Sequence, residues 1–190
     1  NHLFICFFAL CVNRARKSIE PGHRLLLTIR YMATGELYRT SMRYNYRMPH
    51  NTISVVIREV VVALFEEFRD EVWTMPSTPE GWKQVARGFS TRWNFHHCVG
   101  AIDGKHVRIV KPKKSGGECY KHFHSIIMMA LVDSNYQFLW CSVGVKGKCS
   151  DAGIFNRSTL KAGLEQGTLG LPPPEPLPYD NRNVPYFIVG

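Results

Sequence analysis

CVGAIDGKHVRIV, residues 98–110, is the stretch on which the reading of this chain turns. Val99, Ile102, Val107, Ile109 and Val110 give it the β-branched texture of a strand, and Asp103-Gly104 stands in the middle of it. Two readings of that pair are open. Asp-Gly between apolar runs is a strong hairpin signal, in which the aspartate serves only the backbone. Alternatively, Asp103 is an acid at a strand end, and its partner is Asp151 in GVKGKCSDAGIF, 48 residues further on, where another strand-like run gives way to a loop. The two can meet only if a sheet folds back on itself. Two carboxylates so placed can hold a divalent ion, which points to a metal-dependent nuclease or strand-transfer enzyme.

Outward from this stretch, SIIMMALVD, YQFLWCSVGV and VPYFIVG read as further strands, with a turn at Ser134-Asn135. A helix is expected after Asp151, over GIFNRSTLKAGL. LPPPEPLP, residues 171–178, must be an extended loop, either a surface linker or a ligand for a proline-binding domain. Three strands, a helix and another strand predict a mixed α/β sheet.

Residues 1–70 read differently, as a helical segment. HRLLLTIRYMATG ends at Gly35, a natural helix cap. A short helix over residues 36–44 leads to the break at Met48-Pro49, and Asn51 suits an N-cap. Ile53, Ile57, Val60, Leu64 and Phe68 then form one apolar stripe at helical spacing. Short helix, turn and longer helix outline a helix-turn-helix, which would offer Asn51 and Arg58 to DNA with Arg39, Arg43 and Arg47 in support. A plain helical bundle with arginines on its wet side has the same outline. Residues 71–97 read as a connector whose Trp73, Trp82 and Trp93 are expected in a core, and residues 98–190 as the α/β domain.

The net charge of +9 favours polyanionic partners, and its placement adds to that. Ten Lys/Arg face six Asp/Glu in residues 1–70, nine face four in 71–126, and five face five thereafter. Lys105, His106, Arg108, Lys111, Lys113 and Lys114 all fall within eleven residues after Asp103, and Lys146 and Lys148 precede Asp151. Such clusters suit phosphate contacts, though a solvated surface needs no more than this. Six cysteines without a CxxC pair fit reduced thiols better than a disulfide scaffold. Cys119, His122 and His124 match none of the usual zinc spacings. The run LFICFFALCV, residues 3–12, is too short to span a bilayer, which takes about 20 residues, and its basic residues follow it, so a buried helix is expected and no membrane partner. The chain begins at Asn1 and stops at Gly190 within an apolar run, and it reads as a piece of a longer protein.

RYMATGE, HNTISVVIREV, CVGAIDGKHVRI, SIIMMALVDSNYQF, VGVKGKCSDAGIFNRSTL and LPPPEPLP followed by VPYFIVG, in that order, resemble the PIF/Harbinger transposase family and the transposase-derived nucleases related to it. The resemblance runs from about residue 20 to the last residue. It implies an RNase H-like DDE nuclease fold, with Asp103 as the first metal-binding aspartate and Asp151 as a second catalytic acid, and Mg2+ or Mn2+ as the cofactor. It further implies a DNA substrate, a Myb-like partner protein, and a location in the nucleus with a share in the cytoplasm. Members continue after the IVG-type strand with another aspartate and later a helical glutamate, so the site within these 190 residues is expected to be incomplete. The reading from another class is a DNA-binding protein derived from a transposase that no longer cleaves.

Overall fold

The computed structural model describes residues 19–38, 42–73, 75–111, 117 and 119–190. The apolar run of residues 3–12, Arg39, Lys113 and Lys114 lie outside them. The chain divides into two compact units, residues 1–70 and residues 71–190.

In the first unit, helix α1 (Pro21–Thr34) starts on a proline, whose missing N–H costs nothing at a helix start. It ends at Gly35, which takes the left-handed conformation and donates its N–H to the Tyr31 carbonyl, as the sequence predicts. Helix α2 is a single turn (Arg43–Tyr46), later and shorter than the expected helix over residues 36–44. Helix α3 (His50–Val72) already includes Asn51 in its first turn, so Asn51 is not the cap. Leu27, Met42, Ile53, Val56, Ile57 and Val60 form the buried cluster. The predicted stripe on α3 holds for Ile53, Ile57 and Val60, fades to a half-buried Leu64, and ends at an exposed Phe68. Arg24 is buried against α3 and its guanidinium pairs with Glu59.

The second unit is built on a mixed sheet. Helix α4 (Pro79–Trp93) is capped by Thr78, whose hydroxyl accepts from the Gly81 N–H. Strands β1 (Cys98–Arg108), β2 (Ser125–Val132) and β3 (Phe138–Lys146) are antiparallel neighbours. After β3 come helices α5 (Asp151–Phe155) and α6 (Thr159–Gln166), then the two-residue strands β4 (Glu175–Pro176) and β5 (Asn183–Val184) of a minor ladder. Strand β6 (Phe187–Val189) adds to the free side of β1 in parallel, giving the order β3-β2-β1-β6. The single helix expected after Asp151 is thus two, because Ser158 caps a new one through the Lys161 N–H.

The core of this unit gathers Trp82, Ala86, Val99, Leu131, Leu139 and Leu160. Of the three tryptophans expected inside, only Trp82 is; Trp93 is half exposed, edge-on to Tyr136, and Trp73 sits at the surface. Trp82 also donates its indole N–H to the Leu169 carbonyl at 2.7 Å, tying α4 to the segment after α6. Truncation there removes both the buried ring and this tie, so Trp82→Ala should cost about 3–5 kcal/mol, read as a lower denaturation midpoint with an unchanged slope. A midpoint within error of the parent would show that Trp82 does not anchor this core.

Candidate functional site

Asp103 is not in a hairpin. It lies in mid-strand, opposite Ala130, and β1 continues through Arg108. The hairpin signal fails because the residues on both sides of Asp-Gly keep pairing with β2 without a shift in register from Ala101 to Arg108. β6 pairs with β1 only from Cys98 to Ala101, and Gly190 comes up against Ile102. From Asp103 onward, the second edge of β1 therefore has no ladder partner among the described residues. The Gly104 N–H is taken by Asp103 itself, Oδ1 accepting it at 2.7 Å.

Asp151 arrives at the same residue from another direction. Ser150 caps α5 by accepting the Gly153 N–H, which makes Asp151 the first helical residue. Arg157 bonds back to the Gly153 carbonyl at 3.0 Å and approaches the Cys149 sulfur at 3.8 Å, bracing the loop in front of it. Ile154, one turn on, is buried with Ile127 and Met129 of β2, so α5 is pinned over the sheet face to which Gly104 belongs. The outcome is that the Asp151 carboxylate occupies the space above Gly104 where a side chain would begin. A β-carbon at 104 would stand 2.6 Å from Asp151 Cγ and 3.0 Å from its Oδ2, and nearer still to Oδ1.

Gly104 thus joins the two acids. The two approach it from opposite sides: its N–H bonds Asp103 Oδ1, whose residue belongs to the other sheet face by strand alternation, and a β-carbon on it would stand against Asp151. Both aspartates are exposed to solvent. The role of Gly104 escapes a reading for turns, but a lone glycine inside a strand pattern is a known mark of close approach by another group.

The basic residues named from the sequence lie on several elements. Strand alternation gives Lys105 the same face as Asp103, two residues and roughly 7 Å along. Arg108 lies over the Phe123 ring at 4.8 Å, and Lys111 is exposed just past the strand. Lys146 ends β3 and Lys148 is exposed in the turn before Asp151. In the first unit, Arg43, Arg47, Asn51 and Arg58 are all exposed, the last two seven residues apart on one side of α3. His106 is occupied by the Ser125 hydroxyl at 2.9 Å.

The donors fit a hard divalent cation in part. Carboxylate oxygens are the ligands that magnesium prefers, and one or two carboxylates suffice when water and substrate phosphate supply the rest. Among the described residues there is no group of three or more His, Cys, Asp or Glu side chains able to hold a metal, so Asp103 and Asp151 have no third such ligand there.

A family model for the DDE superfamily endonuclease matches residues 102–179, a segment that starts one residue before Asp103 and includes Asp151. No curated protein and no solved structure matches the chain. The match supports the DDE superfamily and a nuclease- or transposase-like enzyme, and the mixed α/β sheet is compatible with a DDE nuclease core. No helix among the described residues is long and apolar enough to cross a membrane.

A side chain at 104 and the carboxylate of 151 compete for one space. Gly104→Ala should therefore destabilise the unit by about 1–3 kcal/mol, and Asp151→Gly should recover most of that loss in the double variant. Additive effects in this double-mutant cycle would mean that the two residues do not touch.

Proposed function

We propose that this chain carries the first two acids of a metal-dependent DNA endonuclease derived from a PIF/Harbinger-type transposase. The observation that carries the reading is the convergence of Asp103 and Asp151 on Gly104, inside the segment similar to DDE endonucleases. In this reading the fold is RNase H-like, DNA is the substrate, and a Myb-like partner protein shares in recognition in the nucleus.

Asp103 and Asp151 would hold Mg2+ or Mn2+, which when bound activates water and stabilises the leaving oxygen of a phosphodiester. The protein's own part is positional. The Gly104 N–H fixes Asp103 Oδ1 and leaves Oδ2 available, while the α5 cap and Arg157 fix Asp151. The exposure of both carboxylates lets a DNA strand reach them, and Lys105, Lys111 and Lys148 place positive charge for its phosphates.

The test is cleavage of supercoiled DNA in Mg2+ or Mn2+ by the protein that contains this chain. Loss of an outer partner of a metal ligand already costs 10–100-fold, so Asp103→Asn or Asp151→Asn should lower the rate by at least about a hundredfold with the melting temperature retained. An unchanged rate in either variant would sink the assignment.

The helical unit supplies the DNA-binding part of the proposal through Arg43, Arg47, Asn51 and Arg58, in the manner of a helix-turn-helix. Each phosphate contact contributes about 0.9 to the slope of log affinity against log salt. Arg58→Ala or Arg43→Ala should weaken duplex binding and flatten the slope by about that amount. If affinity and slope both hold, these arginines serve only the fold.

A further inference from the structure

A cavity of about 430 Å³ opens in the second unit between α4, the corner His96-His97 before β1, and the proline loop around β4. Lys83, Arg87 and Ser90 reach it from one side of α4, at the spacing of successive turns. Their charges are not equivalent. Lys83 is paired with Glu175, whose second oxygen accepts from the Tyr186 hydroxyl at 3.0 Å. These two bonds hold the Glu175 carboxyl below its ordinary range and use up the one acid of the cavity. Arg87, in contrast, is exposed and has no ion pair among the described residues. A guanidinium with five donors and no acceptor is a ready-made phosphate contact.

The histidines extend the same character. His97 Nδ1 donates to the Val184 carbonyl at 3.1 Å, and His96 Nδ1 is taken by Ser90 Oγ at 2.5 Å, so both rings are fixed and each keeps Nε2 uncommitted by these bonds. The other side of the cavity is apolar. Pro176, Leu177 and Pro178 line it, and Tyr186 stacks on His97 with centroids 4.4 Å apart. The volume lies in the range of small-ligand sites and far exceeds what a bare phosphate fills. Free cation on one side and flat, apolar surface on the other match a sugar-phosphate with its base.

We propose that this cavity binds a phosphate-bearing ligand of nucleotide size, with its phosphate on Arg87 and its ring against the proline loop. The ligand is a free nucleotide or one nucleotide of a polynucleotide; both present the same chemistry. The site is separate from the acids at Gly104, since the His96-His97 corner precedes β1 and Asp103 lies five residues, or roughly 17 Å, along that strand from Cys98. It does not rest on the nuclease reading.

Calorimetric titration of the chain with inorganic phosphate, AMP and a short single-stranded oligonucleotide tests it. AMP should bind more tightly than inorganic phosphate. Arg87→Gln should weaken AMP by about tenfold or more with an unchanged melting temperature, and Arg87→Lys should fall between the two. Asp103→Asn, which removes the proposed cleavage, should bind AMP like the parent, so failure here and failure of the nuclease reading are distinguishable. Oligonucleotide bound more tightly than AMP, and weakened by Arg87→Gln, assigns the polynucleotide as source; an oligonucleotide no better than AMP assigns the free nucleotide. Absence of binding for all three probes, or equal binding by Arg87→Gln, overturns the proposal.

Discussion

The carboxylate of Asp151 rests where the side chain of residue 104 would begin, and glycine alone leaves that space. This contact is what turns two residues 48 positions apart into neighbours. Its other half is the bond from the Gly104 N–H to Asp103, which needs β1 to have a free edge at that point. β6 pairs with β1 over Cys98–Ala101. The candidate site therefore depends on one missing side chain and one edge that no strand takes up among the described residues.

Around that contact the packing is ordinary, which is why it can hold. Ile154 of α5 sinks among Ile127 and Met129, and the Ser150 cap starts the helix one residue before the carboxylate is needed. A five-residue helix has little stability of its own, since helix formation carries a costly nucleus and isolated short helices are marginal. Burial of Ile154 and the Arg157 brace hold it in place. The basic residues show the reverse logic. Lys105, Lys111 and Lys148 are exposed, and exposed charges contribute little to folding.

The strands, the Gly35 cap, the Ser134-Asn135 turn and the apolar start of α3 were legible, because each follows from periodicity or from one residue's conformational habit. Three local signals misled. Asp103-Gly104 has the composition of a turn, but a long strand pairing with β2 overrides it. Asn51 is a good cap in isolation, yet α3 begins at His50. Trp73 and Trp93 are apolar enough for a core and still lie at the surface, since burial is decided by what comes to cover a residue and not by the residue alone.

By itself the sequence determined the classes of element and the mixed α/β character of the second unit. Local backbone preferences and apolar spacing act over a few residues, and that range is enough for such decisions. Only the tertiary structure decided that β6 joins β1 in parallel beside Cys98–Ala101, that α5 covers Gly104, and that Arg87 faces the proline loop with no ion pair among the described residues. Those facts depend on which distant segments share a space, and no local preference encodes them.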